Sequence, residues 1–171
     1  MNKSIPGADY WIKKLHLEPH PEGGYFREVY RSEEQIQDLP PRYEGSRSFS
    51  TSIYFLLKGG ECSVFHRLLS DEAWHFYEGS PLELYMLDHR GDLEKVTLGR
   101  NAGRGEHLQF LVKNGIWFAA RPQDPLTYSL MGCTVAPGFD FRDFEMDDRD
   151  SLIRRYPVHR DLISEFTLPS G

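Results

Sequence analysis

One short stretch carries His66, Glu72, His75 and Tyr77. These are side chains of general acid–base chemistry, and the first three are also ligand types that hold a divalent metal. Whether they meet depends on the strands that carry them. Residues 61–68 read as a strand, which puts Cys62, Val64, His66 and Leu68 on one face. The opposite face carries Glu61, Ser63 and Arg67 beside Phe65, so the first face is expected to turn inward. A turn at residues 69–71 brings the chain back antiparallel, with Glu72 across from His66 and Leu68. An inward histidine and glutamate form half of a metal site or an acid–base pair; the competing reading is a bond that merely satisfies two buried polar groups. His75 lies three residues past Glu72 and faces the other way in a regular strand, unless a bulge at Ala73 reverses it. Trp74 and Tyr77 read first as packing residues.

A second candidate group lies upstream. In the block PHPEGGYF, His20 and Glu22 precede Gly23 and Gly24, which permit unusual backbone angles or close approach. From the residues alone a plain turn into a strand is the better reading. Arg27, Arg47 and Arg121 are candidates for holding an anion, whereas Arg31 and Arg67 are expected to face solvent. Ser50, Ser52 and Tyr54 share one strand face, and Ser52 and Tyr54 are candidate pocket residues. The loop NAGRGEH lacks the order of a phosphate-binding loop, and no nucleophile elbow or C-x-x-C occurs.

The elements that position these groups are short. Residues 8–15 read as an amphipathic helix after Pro6 and Gly7. Alternating runs follow at 25–31, 48–57, 61–68, 73–77, 82–88, 93–98, 107–112, 117–120 and 127–136. The polar stretch 32–47 is the longest loop, with one helical turn at its start. Asp147 or Asp148 caps a helix carrying Leu152 and Ile153, Pro157 breaks it, and Leu162, Ile163 and Phe166 mark a second. This pattern predicts an all-β sandwich or barrel with short N- and C-terminal helices.

A chain of 171 residues without a linker is expected to form one domain, 1–171. Its net charge of −6, with scattered basic residues, argues against a nucleic-acid or anionic-membrane partner. Cys62 and Cys133 sit in apolar stretches and make no disulfide framework. With no apolar leader and no membrane-length segment, a cytoplasmic protein is expected.

Gly60, His66, Glu72 and Gly79 stand in the register of the motif G-x5-H-x-H-x3-4-E-x6-G, with Leu68 in the second histidine slot. Together with PHPEGGYFRE, FHRLLSDEAWHFYEGSPLELYML, GIWFAARP and CTVAPGFDF, this resembles the cupin superfamily, specifically its fifth subfamily, long catalogued as a domain of unknown function. The resemblance runs from about residue 16 to 166. It implies an RmlC-like jelly-roll barrel (a double-stranded β-helix) and a homodimer built by exchange of N-terminal strands. It also implies that the PHPEGGYF block, with His20 and Glu22, lines the cavity. The family's second motif places Phe118 in its histidine slot and Pro122 in its asparagine slot.

With Leu68 and Phe118 apolar, two of the usual four metal ligands are lost, and a divalent ion wants at least three. No cofactor is expected; a metal at the usual place would need His75, or the distant His20 and Glu22, to enter the pocket, and a metal held by His66, Glu72 and His75 is the disfavoured alternative. The leading expectation is a pocket for a small polar or anionic metabolite, with metal-independent acid–base catalysis of the epimerase or isomerase kind. On that reading, which the resemblance to RmlC-like sugar epimerases with a histidine base and a tyrosine acid implies, His66 or His75 is the base, Glu72 its partner and Tyr77 or Tyr54 the acid. A non-catalytic binding cupin is the second reading, and whether the protein is an enzyme is left open by the residues.

Overall fold

A computed structural model describes residues 6–168, so the two ends of the expected domain, 1–5 and 169–171, lie outside the described residues. The strands are β1 (Glu18–Pro19), β2 (Tyr25–Arg31), β3 (Gln35–Ile36), β4 (Arg47–Ser48), β5 (Thr51–Lys58), β6 (Ser63–Leu68) and β7 (Asp71–Gly79). They continue as β8 (Leu82–Leu87), β9 (Leu93–Leu98), β10 (Gln109–Val112), β11 (Trp117–Pro122), β12 (Tyr128–Ala136) and β13 (Phe144–Met146). Helix α1 is Ala8–Leu15, α2 is Arg149–Arg155 and α3 is Arg160–Glu165.

Two antiparallel sheets form the jelly roll. One runs β1-β2-β5-β12-β7-β10 and the other β13-β6-β11-β8-β9. The expected helical turn after β2 is absent; β3 instead pairs with β4, Gln35 opposite Ser48. Between the sheets lies a core of Phe55, Trp74, Phe76, Leu84, Phe118 and Met131, among others. Both outer faces are partly covered as well. Helix α1 sets Trp11, Ile12 and Leu15 against Leu56, Tyr128 and Leu130, and α2 and α3 bring Leu152, Ile153, Ile163 and Phe166 against Phe65, Leu87 and Trp117. This double cover explains why β8 is buried at every position and shows no alternation.

The helices end where their residues dictate. Asp148 accepts the backbone N–H of Ser151 at 2.9 Å and caps α2, and Pro157 follows its end. Among the described residues, no helix is long and apolar enough to cross a membrane.

Candidate active site

The turn after β1 carries His20 and Glu22 into the interior. His20 N–H bonds to Gly24 O (2.9 Å), and the N–H of Gly23 returns to His20 O (3.0 Å). Gly23 has φ +108° and Gly24 φ +71°, and a Cβ on Gly23 would collide with the carbonyl oxygen of Cys62. Only glycine lets this turn lie so close to β6, where Val64 N–H donates to Glu22 O at 2.9 Å. Glu22 is thereby left 6 % exposed in the barrel interior.

Three side chains converge on it. Ser63 Oγ donates to Glu22 Oε1 at 2.8 Å, His66 Nε2 stands 3.2 Å from Glu22 Oε2, and His20 Nδ1 stands 3.4 Å from the same oxygen. The ring nitrogens are assigned by their partners. His66 Nδ1 lies 2.8 Å from Val64 O and must carry a proton, so Nε2 of the neutral ring offers a lone pair to Glu22. His20 Nδ1 accepts the Glu22 N–H at 3.3 Å, so its proton sits on Nε2. Burial drives each group toward its neutral form: His66 falls to about 3, His20 to about 4, and the Glu22 carboxyl rises well above the usual range. Glu22 and His66 are thus close enough to share one proton.

Glu72 faces the same space from β7. Its Oε2 accepts the indole N–H of Trp74 at 3.0 Å, and among the described residues nothing donates to Oε1. Burial lifts its pKa from 4.5 to about 7, against a smaller lowering by the indole bond. A carboxyl raised on folding stabilises the native state while protonated, and that contribution is lost as pH rises through its folded value. Between about 4.5 and about 7 the wild type is therefore expected to lose stability relative to Glu72→Gln, with the difference constant above that window. Urea denaturation of both proteins across this range measures it; a difference that does not change with pH would contradict the assignment.

These groups form the inner end of a cavity of about 310 Å³. Its walls include Phe26, Ile53, Phe55, Trp74, Cys133 and Val135. Phe139, Phe141 and Phe144 close it from the segment after β12. That segment is tied down at several points. Gly138 N–H donates to Ser48 O (2.7 Å), Phe139 N–H to Thr51 Oγ1 (2.9 Å), and the Asp143 carboxylate takes two bonds from Arg47 at 2.7 and 2.6 Å. At the outer rim Arg31 makes a bidentate pair with Glu28 (2.9 and 2.7 Å), and Arg142 pairs with Asp140.

The structure brings His20, Glu22, His66 and Glu72 together and leaves the other expected residues elsewhere. His75 is on the opposite face of β7, with Nε2 3.1 Å from Thr134 Oγ1. No bulge forms at Ala73; the irregularity in the β7–β12 pairing falls instead at Tyr77, between the Leu130 and Met131 pairs. Tyr77 lies on that same outer face against Tyr54, ring centroids 6.1 Å apart. Ser52 also points outward, 3.5 Å from Thr134 Oγ1, because Thr51, Ile53 and Phe55 are the residues of β5 that line the cavity. Arg121 belongs to a surface cluster with Glu83, Tyr85 and Glu165 on the second sheet. Arg27 reaches Leu15 O, and Arg31 faces solvent as expected, at the cavity rim.

Two contributors escaped the sequence reading. Ser63 was expected outside, but a register shift between β6 and β11 pairs Phe118 with His66 and Ala120 with Ser63, which turns Ser63 inward. The Phe139–Phe144 segment has no periodic pattern and left no signal beyond its aromatic content.

The donor set does not fit a metal. Leu68 and Phe118 occupy two ligand slots, Phe118 packing 4.1 Å from the His66 ring. Among the described residues, no group of three His, Cys, Asp or Glu side chains is arranged to hold one.

Known proteins share this architecture and sequence. The X-ray structure of protein SO0799 from Shewanella oneidensis is 41% identical, with a TM-score of 0.88 over 97% of this chain and 100% of that one. A hypothetical protein from Leishmania major is 36% identical, with a TM-score of 0.87 over 95% and 99%. An uncharacterized protein of Saccharomyces cerevisiae, YML079W, is 29% identical over 143 residues, 77% of this chain and 71% of that protein. The family model for the cupin superfamily (DUF985) matches residues 9–147, and with the barrel and the converging His20, Glu22 and His66 on view, the chain belongs to that family.

Proposed function

We propose that the chain, as a single domain over 1–171, binds a small polar metabolite in this cavity and moves a proton to and from it without a metal. The observation that carries this reading is Glu72, a buried carboxyl with one free oxygen facing a largely apolar cavity. A base whose pKa lies near the working pH is suited to proton abstraction beside a carbonyl. Glu72 takes the proton from carbon, and the electron pair moves onto the carbonyl oxygen. The Nε2–H of His20 is available to stabilise that oxygen. Glu22 and His66 hold His20 in place and keep the inner wall electrically neutral. Return of the proton to either face of the carbon gives an epimerase- or isomerase-like outcome. Of the polar and anionic ligands expected from sequence, the polar one is favoured, because Arg31, the one cationic lining residue, is already paired with Glu28.

The test needs no named substrate. A metabolite extract is incubated with the protein in D₂O and analysed by mass spectrometry. One or more metabolites should gain deuterium at carbon with wild type and not with Glu72→Gln.

A non-catalytic binding role is the second reading, favoured by the engagement of both His66 nitrogens; binding without deuterium uptake would select it. A homodimer accompanies either reading, supported by Val29, Tyr30 and Tyr77, all exposed on β2 and β7 of the first sheet. Light scattering that returned a monomer would remove it.

A further inference from the structure

We infer that the ligand of this cavity is a small organic cation, an ammonium group on an apolar body, with its charge seated against Glu72. This rests on the cavity being the binding site and not on the catalytic step: an ammonium that occupies Glu72 Oε1 keeps that oxygen from acting as the base, so a cationic ligand favours the binding reading. The inner end holds two carboxyls, both more than nine-tenths buried, and no lysine or arginine. Buried carboxyls are ordinarily matched by a cation or kept protonated. The two histidines beside them are neutral, and the rim acids are already matched, Glu28 by Arg31 and Asp140 by Arg142. Glu22 is neutral beside His66, so among the described residues the carboxylate oxygen left for a ligand in the cavity is Glu72 Oε1.

The walls suit the same ligand. Phe26, Phe55, Trp74, Phe139, Phe141 and Phe144 surround the space, and aromatic rings attract a desolvated cation. An anion would meet two carboxyls and find only a guanidinium already donating to Glu28 and to Phe139 O. A neutral ligand gains the apolar contact and can donate a hydrogen bond to Glu72 Oε1, but adds no charge attraction.

Cation binding is linked to ionisation. An ammonium beside Glu72 favours its charged form, so binding below neutrality releases a proton and affinity rises with pH until Glu72 is ionised. The titratable groups around it are Glu22 from the glycine turn, His20, His66 from β6 and Cys133 from β12; the indole of Trp74 is its hydrogen-bond donor. His20 and His66 titrate near 4 and 3, and Glu22 and Cys133 are raised by burial, which leaves Glu72 as the group that changes across neutrality.

The experiment uses three probes of matched shape: cyclohexylammonium, cyclohexanol and cyclohexanecarboxylate. Each is titrated calorimetrically into the full-length protein above and below neutrality. The Trp74 indole N–H resonance is followed in parallel to locate the probe. Above neutrality cyclohexylammonium is expected to bind about tenfold more tightly than cyclohexanol, the counterpart of one pKa unit, with the carboxylate weakest. Its affinity should fall on acidification, and it should shift the Trp74 signal. Glu72→Gln should bring the ammonium down to the level of the alcohol. Equal binding of ammonium and alcohol, preference for the carboxylate, no binding by any probe, or an unmoved Trp74 signal would each overturn the cation assignment. Deuterium uptake that persists under any of those outcomes leaves the acid–base reading standing, so the two ideas fail separately.

Discussion

Replacing Asp143 with alanine is expected to destabilise the fold by about 3–5 kcal/mol, read as a lower urea midpoint. Arg47 is 2 % exposed and Asp143 5 %, so the pair is sealed from water. Removal of the carboxylate leaves the guanidinium buried with only neutral acceptors, chiefly Glu44 O and Ser46 O at 2.8 Å. An unmatched buried charge costs more than the pair contributes. The double replacement Arg47→Met with Asp143→Leu is therefore expected to recover most of the loss. Should Asp143→Ala unfold at the wild-type midpoint, the pair would not be the anchor described here. The effect reaches the cavity, because Asp143 follows Phe141 and precedes Phe144, both of which line it.

Glu72→Gln is expected to lower the rate of deuterium incorporation by roughly 10²–10⁴, the usual contribution of a positioned general base. Glutamine matches glutamate in shape, and its carbonyl oxygen still accepts the Trp74 indole N–H, so the cavity walls persist. What disappears is basicity. Mass spectrometry of the same extract gives the ratio directly. Equal incorporation in both proteins would remove Glu72 from the chemistry; none in either would leave a binding protein.

The fold was legible wherever one face of a strand is apolar and the other polar. Residues 8–15, 25–31 and 93–98 carry the expected boundaries, and the turn at Arg90–Gly91–Asp92 joins β8 to β9. Inward placement of His66 and Glu72 followed from alternation plus one turn. Where both faces of a strand are covered, alternation carries no information about which face is inside. In β5, Leu56 packs under α1 while Phe55 and Leu57 enter the main core, so Ser52 and Tyr54 were assigned to the wrong side. One-residue shifts in pairing do the rest. The β6–β11 shift brought Ser63 in, and the lack of one at Ala73 kept His75 out. From the residues alone His20 and Glu22 read as a plain glycine turn, and only the family resemblance put them at the cavity, because their burial depends on contact with a strand some forty residues away.

The cavity draws on both halves of the chain: Glu22 from the first turn, Glu72 from the middle, Phe144 from beyond β12. Strand β5 finds its central partner only in β12, with Thr51 opposite Val135. During synthesis, β5 and its neighbours leave the ribosome well before the partner that closes the sheet exists. No truncated product that ends before β12 can assemble this pocket. A small molecule that fits it recognises finished chains alone, and by mass action lends its binding energy only to them.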